Sequence, residues 1–131
     1  LSDNVNLSRG DLNILEVASS FGQTLSLLGK QGKNDLYGIE PSVSAISSGE
    51  DNYEGVTIIN STLELVDFAG LPKFYIIILS HVLEYFTNPI DALKILVNAL
   101  VGDGLIYIDV PNYYFLKKFI LFISVILLFL H

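Results

Sequence analysis

At 131 residues and 51% apolar content, the chain is long enough to build one domain around a real core, and its composition excludes a disordered polymer. Fourteen acidic residues against seven basic ones leave a net charge of −7, with no cluster of Lys and Arg to bind a phosphate backbone, so nucleic acid is not an expected partner. There are no cysteines, which excludes disulfides and thiolate metal sites and fits a cytoplasmic setting; the two histidines, His81 and His131, are too few for a conventional zinc site, and no metal is expected.

The chain starts at Leu1 and contains no methionine, which leads us to expect a trimmed or partial sequence. Ser2 to Asn6 is polar and carries Asp3, so no signal peptide is expected. Asn13 to Val17 reads as a short buried strand, followed by small residues at 18, 19, 20 and 22. Thr24 to Leu28 begins a helix that Gly29 and Gly32 end. Asp35 to Ile39 is a second strand stopped by Pro41, and Ser42 opens a short helix running through Ala45 and Ile46. Val56 to Ile59, mostly β-branched, is the third strand, and Lys73 to Leu79 the fourth. A polar loop follows, closed by Asn88-Pro89. Apolar residues at 90, 93, 96, 97 and 100 then keep helical spacing. Gly102-Asp103-Gly104 turns the chain into a fifth strand, Leu105 to Val110, which Pro111-Asn112 ends.

Phe119 to Leu130 is apolar apart from Ser124, and these 12 residues fall short of the roughly 20 that span a bilayer. A buried element of a cut-off domain, a membrane-associated tail and out-of-frame translation are the competing readings of this stretch. The expected organisation is therefore one domain over residues 1–112 and a hydrophobic tail over 113–131.

Strands alternating with helices imply parallel pairing through right-handed crossovers. The strands are apolar on both faces, as a sheet covered on both sides requires. The expected architecture is a doubly wound α/β sheet, whose ligands sit at the carboxyl ends of its strands. Two features at those ends bear on chemistry. The small-residue turn after the first strand permits close approach of backbone N–H groups to a ligand, although many ordinary turns share its composition. Glu40 closes the second strand 24 residues after Glu16, near the distance at which an acidic residue accepts hydrogen bonds from ribose hydroxyls; a solvated strand-end charge is the plain alternative.

The turn, Gly38-Ile-Glu-Pro-Ser42, Leu79-Ser-His-Val-Leu-Glu-Tyr-Phe-Thr-Asn-Pro89 and Gly102-Asp-Gly-Leu-Ile-Tyr-Ile-Asp-Val-Pro-Asn112 together resemble the class I S-adenosylmethionine-dependent methyltransferases, over about residues 11 to 113. The closest likeness is to the small-molecule and C-methyltransferase-like branch. The resemblance implies a Rossmann-like, mainly parallel sheet with helices on both faces, here incomplete at its C-terminal end. It also implies S-adenosylmethionine as cofactor and a small-molecule methyl acceptor. By residue, it places Glu16, Ala18, Ser20 and Gly22 in the cofactor turn, Glu40 on the ribose, Ser61 and Thr62 beside the adenine, and Ser80 and His81 beside the methionine moiety and acceptor.

His81 is the candidate general base, since an unperturbed imidazole titrates near pH 6.5; a loop-shaping role is the alternative. Asp109 either lines the pocket or caps a neighbouring turn, and Tyr113 and Tyr114 either close over a substrate or pack. The sequence departs from the family pattern where Ala18 and Ser20 replace glycines, Ser61 replaces an adenine-binding aspartate and Tyr75 replaces an aspartate. A non-catalytic remnant with the same fold and a nicotinamide-dependent Rossmann protein are the alternatives; the second requires a G-x-G-x-x-G pattern that residues 18 to 23 lack.

Overall fold

A computed structural model describes residues 11–111. Five strands, β1 (Asn13–Val17), β2 (Asp35–Ile39), β3 (Val56–Ile59), β4 (Phe74–Ser80) and β5 (Leu100–Asp109), form one sheet in the order β3-β2-β1-β4-β5. Every neighbouring pair is parallel. Helices α1 (Gln23–Gly29), α2 (Val43–Ser48) and α3 (Pro89–Ala99) form the crossovers together with four 3-10 turns. The chain winds outward from β1 to β3, then returns to lay β4 on the other side of β1. The switch point between β1 and β4 opens a crevice at the carboxyl ends, where this architecture binds ligands.

The sheet is covered on both faces, as the expected doubly wound architecture requires. On one face Leu25 of α1 and Tyr53 of the 3-10 turn Glu50–Tyr53 pack on Ile14, Leu36, Ile76 and Ile78. On the other, Ala92, Leu96 and Ala99 of α3 and Leu63 pack on Leu15, Val17, Ile39, Ile77, Leu79 and Ile106. Each fully buried Leu or Ile contributes roughly 1.5–3 kcal/mol of transfer free energy.

The element ends differ from the sequence expectation in informative ways. Ser42 lies outside α2 as its N-cap, and its hydroxyl accepts from the Ala45 N–H at 3.2 Å. Asn88 caps α3 in the same manner by accepting from the Asp91 N–H, with Pro89 in the first turn. The expected helix through Leu100 and turn at Gly102–Gly104 give way to an earlier strand. Leu100 already pairs with Phe74, and Leu105 pairs with Ile76, so five residues advance on β5 while two advance on β4. Gly102-Asp103-Gly104 is thus part of a bulge inside the strand, not a turn before it. A Cβ at Gly104 would lie 3.1 Å from the carbonyl oxygens of Phe74 and Tyr75, so β4 crowds this position and would have to give by a few tenths of an ångström to accept a side chain. Among the described residues no helix is long and apolar enough to cross a membrane. The apolar stretch from Phe119, with Tyr113 and Tyr114, lies outside the described residues.

Candidate cofactor site

The loop between β1 and α1 is held in an unusual backbone conformation. Ala18, Ser20 and Gly22 have φ of 57°, 51° and 73°, alternating left-handed residues that turn the chain sharply over the strand ends. For Gly22 this conformation carries no penalty, whereas a side chain makes it unfavourable by roughly 1–2 kcal/mol per residue. Ala18 and Ser20 therefore stand where the backbone itself would favour glycine.

Side chains remote in sequence hold the loop. Glu40, only 6% exposed, accepts the Ser20 N–H on Oε2 and the Ser42 N–H on Oε1, both at 2.8 Å. Its carboxylate thus bridges the loop to the start of α2. Each oxygen has a second lone pair for a further donor. The Asn60 side-chain amide donates to the Glu40 and Pro41 carbonyls at 2.9 and 3.1 Å, fixing the end of β2 against the segment after β3. Tyr53 reaches in from below: its hydroxyl donates to the Ser20 carbonyl and pairs with the Ser19 hydroxyl at 2.9 Å. Burial pushes the Tyr53 hydroxyl above its ordinary pKa, opposed by the Ser19 hydrogen bond and reinforced by the charges of Glu40 and Glu16, so it remains a donor. The Tyr53 ring fills the space a side chain at Gly22 would need; a Cβ there would lie 2.6 Å from Cε1.

Glu16 lies beneath this loop. It pairs in register with Gly38 and Ile78, in the middle of the sheet, and is 5% exposed. Burial pushes its carboxyl up to about 7, against an opposing hydrogen bond with Thr24. Its Oε2 is buried with no hydrogen-bond partner among the described residues. Gly38 beside it also has a steric reason, since a Cβ there would lie 2.7 Å from the Ser19 hydroxyl and 3.1 Å from Leu25.

A cleft of about 210 Å³ opens at the strand ends, lined by Val17, Ala18, Ile39, Pro41, Ser61, Thr62, Leu63, Glu64, Val82, Tyr85 and Phe86. It is mainly apolar and smaller than the roughly 300–1,000 Å³ of a site for a drug-sized ligand, which suits one flat ring better than a whole nucleoside. The Ser61 hydroxyl donates to the Thr62 carbonyl at 3.0 Å, which leaves its own oxygen as an acceptor.

The structure thus gathers Ala18, Ser61 and Thr62 around the cleft, ties Ser20 to Glu40, sets Gly22 against Tyr53 and buries Glu16 below. Ser80 and His81 are not in the cleft lining; they lie at the end of β4 on the side of β5. Ser80 pairs with Asp109 in register, and the His81 N–H donates to the Asp109 carbonyl at 2.8 Å. The His81 ring Nε2 is 3.4 Å from Asp109 Oδ2. Tyr53, Asn60 and Glu64 were not legible as site residues. Each lies outside the motifs and reaches the site only through packing, so no local pattern signals it.

Comparison with known proteins agrees with this geometry. The plantazolicin methyltransferase BpumL, solved in complex with SAH, superposes with a TM-score of 0.76 at 25% identity, covering 82% of this chain and 42% of that one. The plantazolicin methyltransferase BamL, in complex with SAH and a triazolic desmethylPZN analog, gives a TM-score of 0.72 at 26% identity, covering 83% and 41%. A TehB-like SAM-dependent methyltransferase from Corynebacterium glutamicum shares the fold, with a TM-score of 0.68 at 20% identity, covering 82% and 59%. The chain therefore spans about two-fifths of the length of the plantazolicin enzymes it resembles. No curated protein sequence matches it significantly. Residues 2–126 match the family model of the methyltransferase domain, and with the all-parallel sheet and the latched β1–α1 loop this establishes that the chain belongs to the methyltransferase domain family.

Proposed function

We propose that the chain binds S-adenosylmethionine at the carboxyl ends of β1 to β4 and belongs to an enzyme that methylates a small-molecule acceptor. One observation carries the reading: the left-handed turn at Ala18, Ser20 and Gly22 is latched to the Glu40 carboxylate, whose chain neighbours Ile39 and Pro41, with Ala18, line the apolar cleft. A cofactor with a ribose, a flat base and a cationic amino-acid arm fits what this site offers. Glu40 accepts the ribose hydroxyls. The cleft between Ile39, Pro41 and Phe86 takes the adenine, with the Ser61 and Thr62 segment and Glu64 along its polar rim. The backbone of Ala18, Ser20 and Gly22 approaches the methionine arm, with Ser80 facing it from β4. The unpartnered Oε2 of Glu16 supplies a further polar partner beneath the same arm. When bound, the sulfonium supplies an electrophilic methyl group; the chain's residues position the acceptor in line with it and take up the proton the acceptor releases. His81 is assigned that proton, since a neutral imidazole accepts one near neutral pH.

Calorimetric titration of the chain with S-adenosylmethionine and S-adenosylhomocysteine tests the reading. Micromolar binding of either, weakened at least tenfold by Glu40→Ala, is the expected result. A folded chain that binds neither overturns it, and the non-catalytic module then becomes the better description.

A further inference from the structure

We propose that Asp109 is a positioning residue for His81, its carboxylate holding the imidazole as the Nε2–H tautomer so that Nδ1 is the proton-accepting nitrogen. The inference deepens the role proposed for His81 and rests on it.

The two residues are 28 positions apart and meet because β4 and β5 pair in parallel, Ser80 opposite Asp109. Two contacts join them. The Asp109 carbonyl accepts the His81 backbone N–H at 2.8 Å, and the Asp109 carboxylate Oδ2 lies 3.4 Å from the ring Nε2. The backbone contact sets where the side chain starts, and the carboxylate faces Nε2. Two further observations mark the pair as more than strand-end packing. His81 is held at φ 53°, a conformation unfavourable for a residue with a Cβ and found mainly where surrounding contacts impose it. Asp109 keeps its other oxygen, Oδ1, buried without a hydrogen-bond partner among the described residues, a costly placement that needs a reason. A carboxylate is an acceptor only, so whichever ring nitrogen faces it must carry the proton. In a neutral imidazole the other nitrogen then holds the lone pair. The asymmetry of exposure fits this division, with the Asp109 side chain 14% exposed and that of His81 39% exposed. The step assigned to the pair is balanced: the acceptor's proton moves to Nδ1, giving an imidazolium whose charge the Asp109 carboxylate faces, while the acceptor's freed electron pair forms the new bond to the methyl carbon and the carbon–sulfur bond's pair returns to sulfur.

The test is the 15N spectrum of the chain labelled in histidine, which contains only two imidazoles, the second identified by His131→Gln. At a pH where His81 is neutral, its Nε2–H form should dominate. The Nε2–H to Nδ1–H ratio should fall in Asp109→Asn and Asp109→Ala, where no carboxylate charge faces Nε2. Circular dichroism establishes that each variant keeps its sheet; Asp109→Asn preserves shape if Asp109→Ala does not fold. A predominant Nδ1–H form in the unaltered chain, or a ratio unchanged in a folded variant, overturns the proposal. The spectrum requires neither cofactor nor acceptor, so failure of cofactor binding and failure of this pairing are separately visible.

Discussion

Replacing Glu40 by Gln changes one atom in the group that latches the β1–α1 loop. The carboxylate accepts two backbone N–H groups, from Ser20 and Ser42, each at 2.8 Å and each on a different oxygen. A glutamine can satisfy only one of them; its amide nitrogen must face the other, donor against donor. A hydrogen bond to a charged group contributes roughly 1.5–3 kcal/mol, and one neutral bond survives, so the net loss should be about 2–3 kcal/mol. For a domain of this size 1 kcal/mol corresponds to about 3–5 °C in Tm, which sets the expected fall at about 6–15 °C in thermal denaturation. The Asn60 bond to the Glu40 carbonyl is untouched, so the end of β2 keeps its place and the effect is confined to the latch. Calorimetry on the same protein should show S-adenosylmethionine binding weakened by about 1–3 kcal/mol, because the ribose acceptor and the loop conformation are lost together. A variant whose Tm falls by less than about 2 °C and whose affinity is unchanged would refute both the latch and the ribose role.

Glu16 should give the chain a stability that declines with rising pH. Its folded pKa is raised from 4.5 to about 7, so between these values the unfolded state has released a proton the folded state still holds, and stability falls across that window and levels off above it. Glu16→Gln should remove the slope and raise stability at pH 8 by up to about 3 kcal/mol, read from urea melts at pH 5 and pH 8; parallel profiles for the two proteins would contradict the assignment. Gly22→Ala should destabilise by about 2–4 kcal/mol, combining the left-handed backbone penalty with the clash against Tyr53, and a melt within 1 kcal/mol of the parent would show that the ring yields. Tyr53→Phe keeps the ring and removes only its bonds to Ser19 and Ser20, so a loss of about 1–2 kcal/mol is expected in the same melts. Ala18→Gly should relieve left-handed strain, leaving stability equal or higher by about 0.5 kcal/mol and tightening S-adenosylhomocysteine binding by calorimetry; weaker binding would mean the alanine methyl is itself a useful wall of the cleft.

Most of the fold was legible because its signals are local. Ile14, Leu15 and Val17 announce a strand buried on both faces, and Ser42 and Asn88 mark helix starts, by the chemistry of their own neighbourhoods. The fifth strand was misread at its start for a related reason. Gly102-Asp103-Gly104 has the composition of a turn, and only pairing with β4 makes it a bulge, since the sequence carries no record of how closely Phe74 and Tyr75 approach Gly104. Among the candidate site residues, Gly22 and Glu40 were accessible through spacing within the β1–α1–β2 unit. The helper residues Tyr53 and Asn60 were not, because nothing in their immediate sequence distinguishes a loop-holding side chain from a solvated one.

The sequence by itself determined the alternation of strands and helices, the parallel sheet that follows from it, and the family, because periodicity and short motifs are properties of contiguous residues. Which groups become partners was decided by the tertiary structure. Laying β4 beside β1 and β5 beside β4 opens the crevice and brings Asp109 to His81, while winding β2 and β3 to the other side brings Asn60 to Glu40 and frames the cleft. The same sheet buries Glu16 between Gly38 and Ile78 and thereby raises its pKa. Distance and dielectric set the chemistry of these side chains, and both arise only when segments far apart in the chain are packed together.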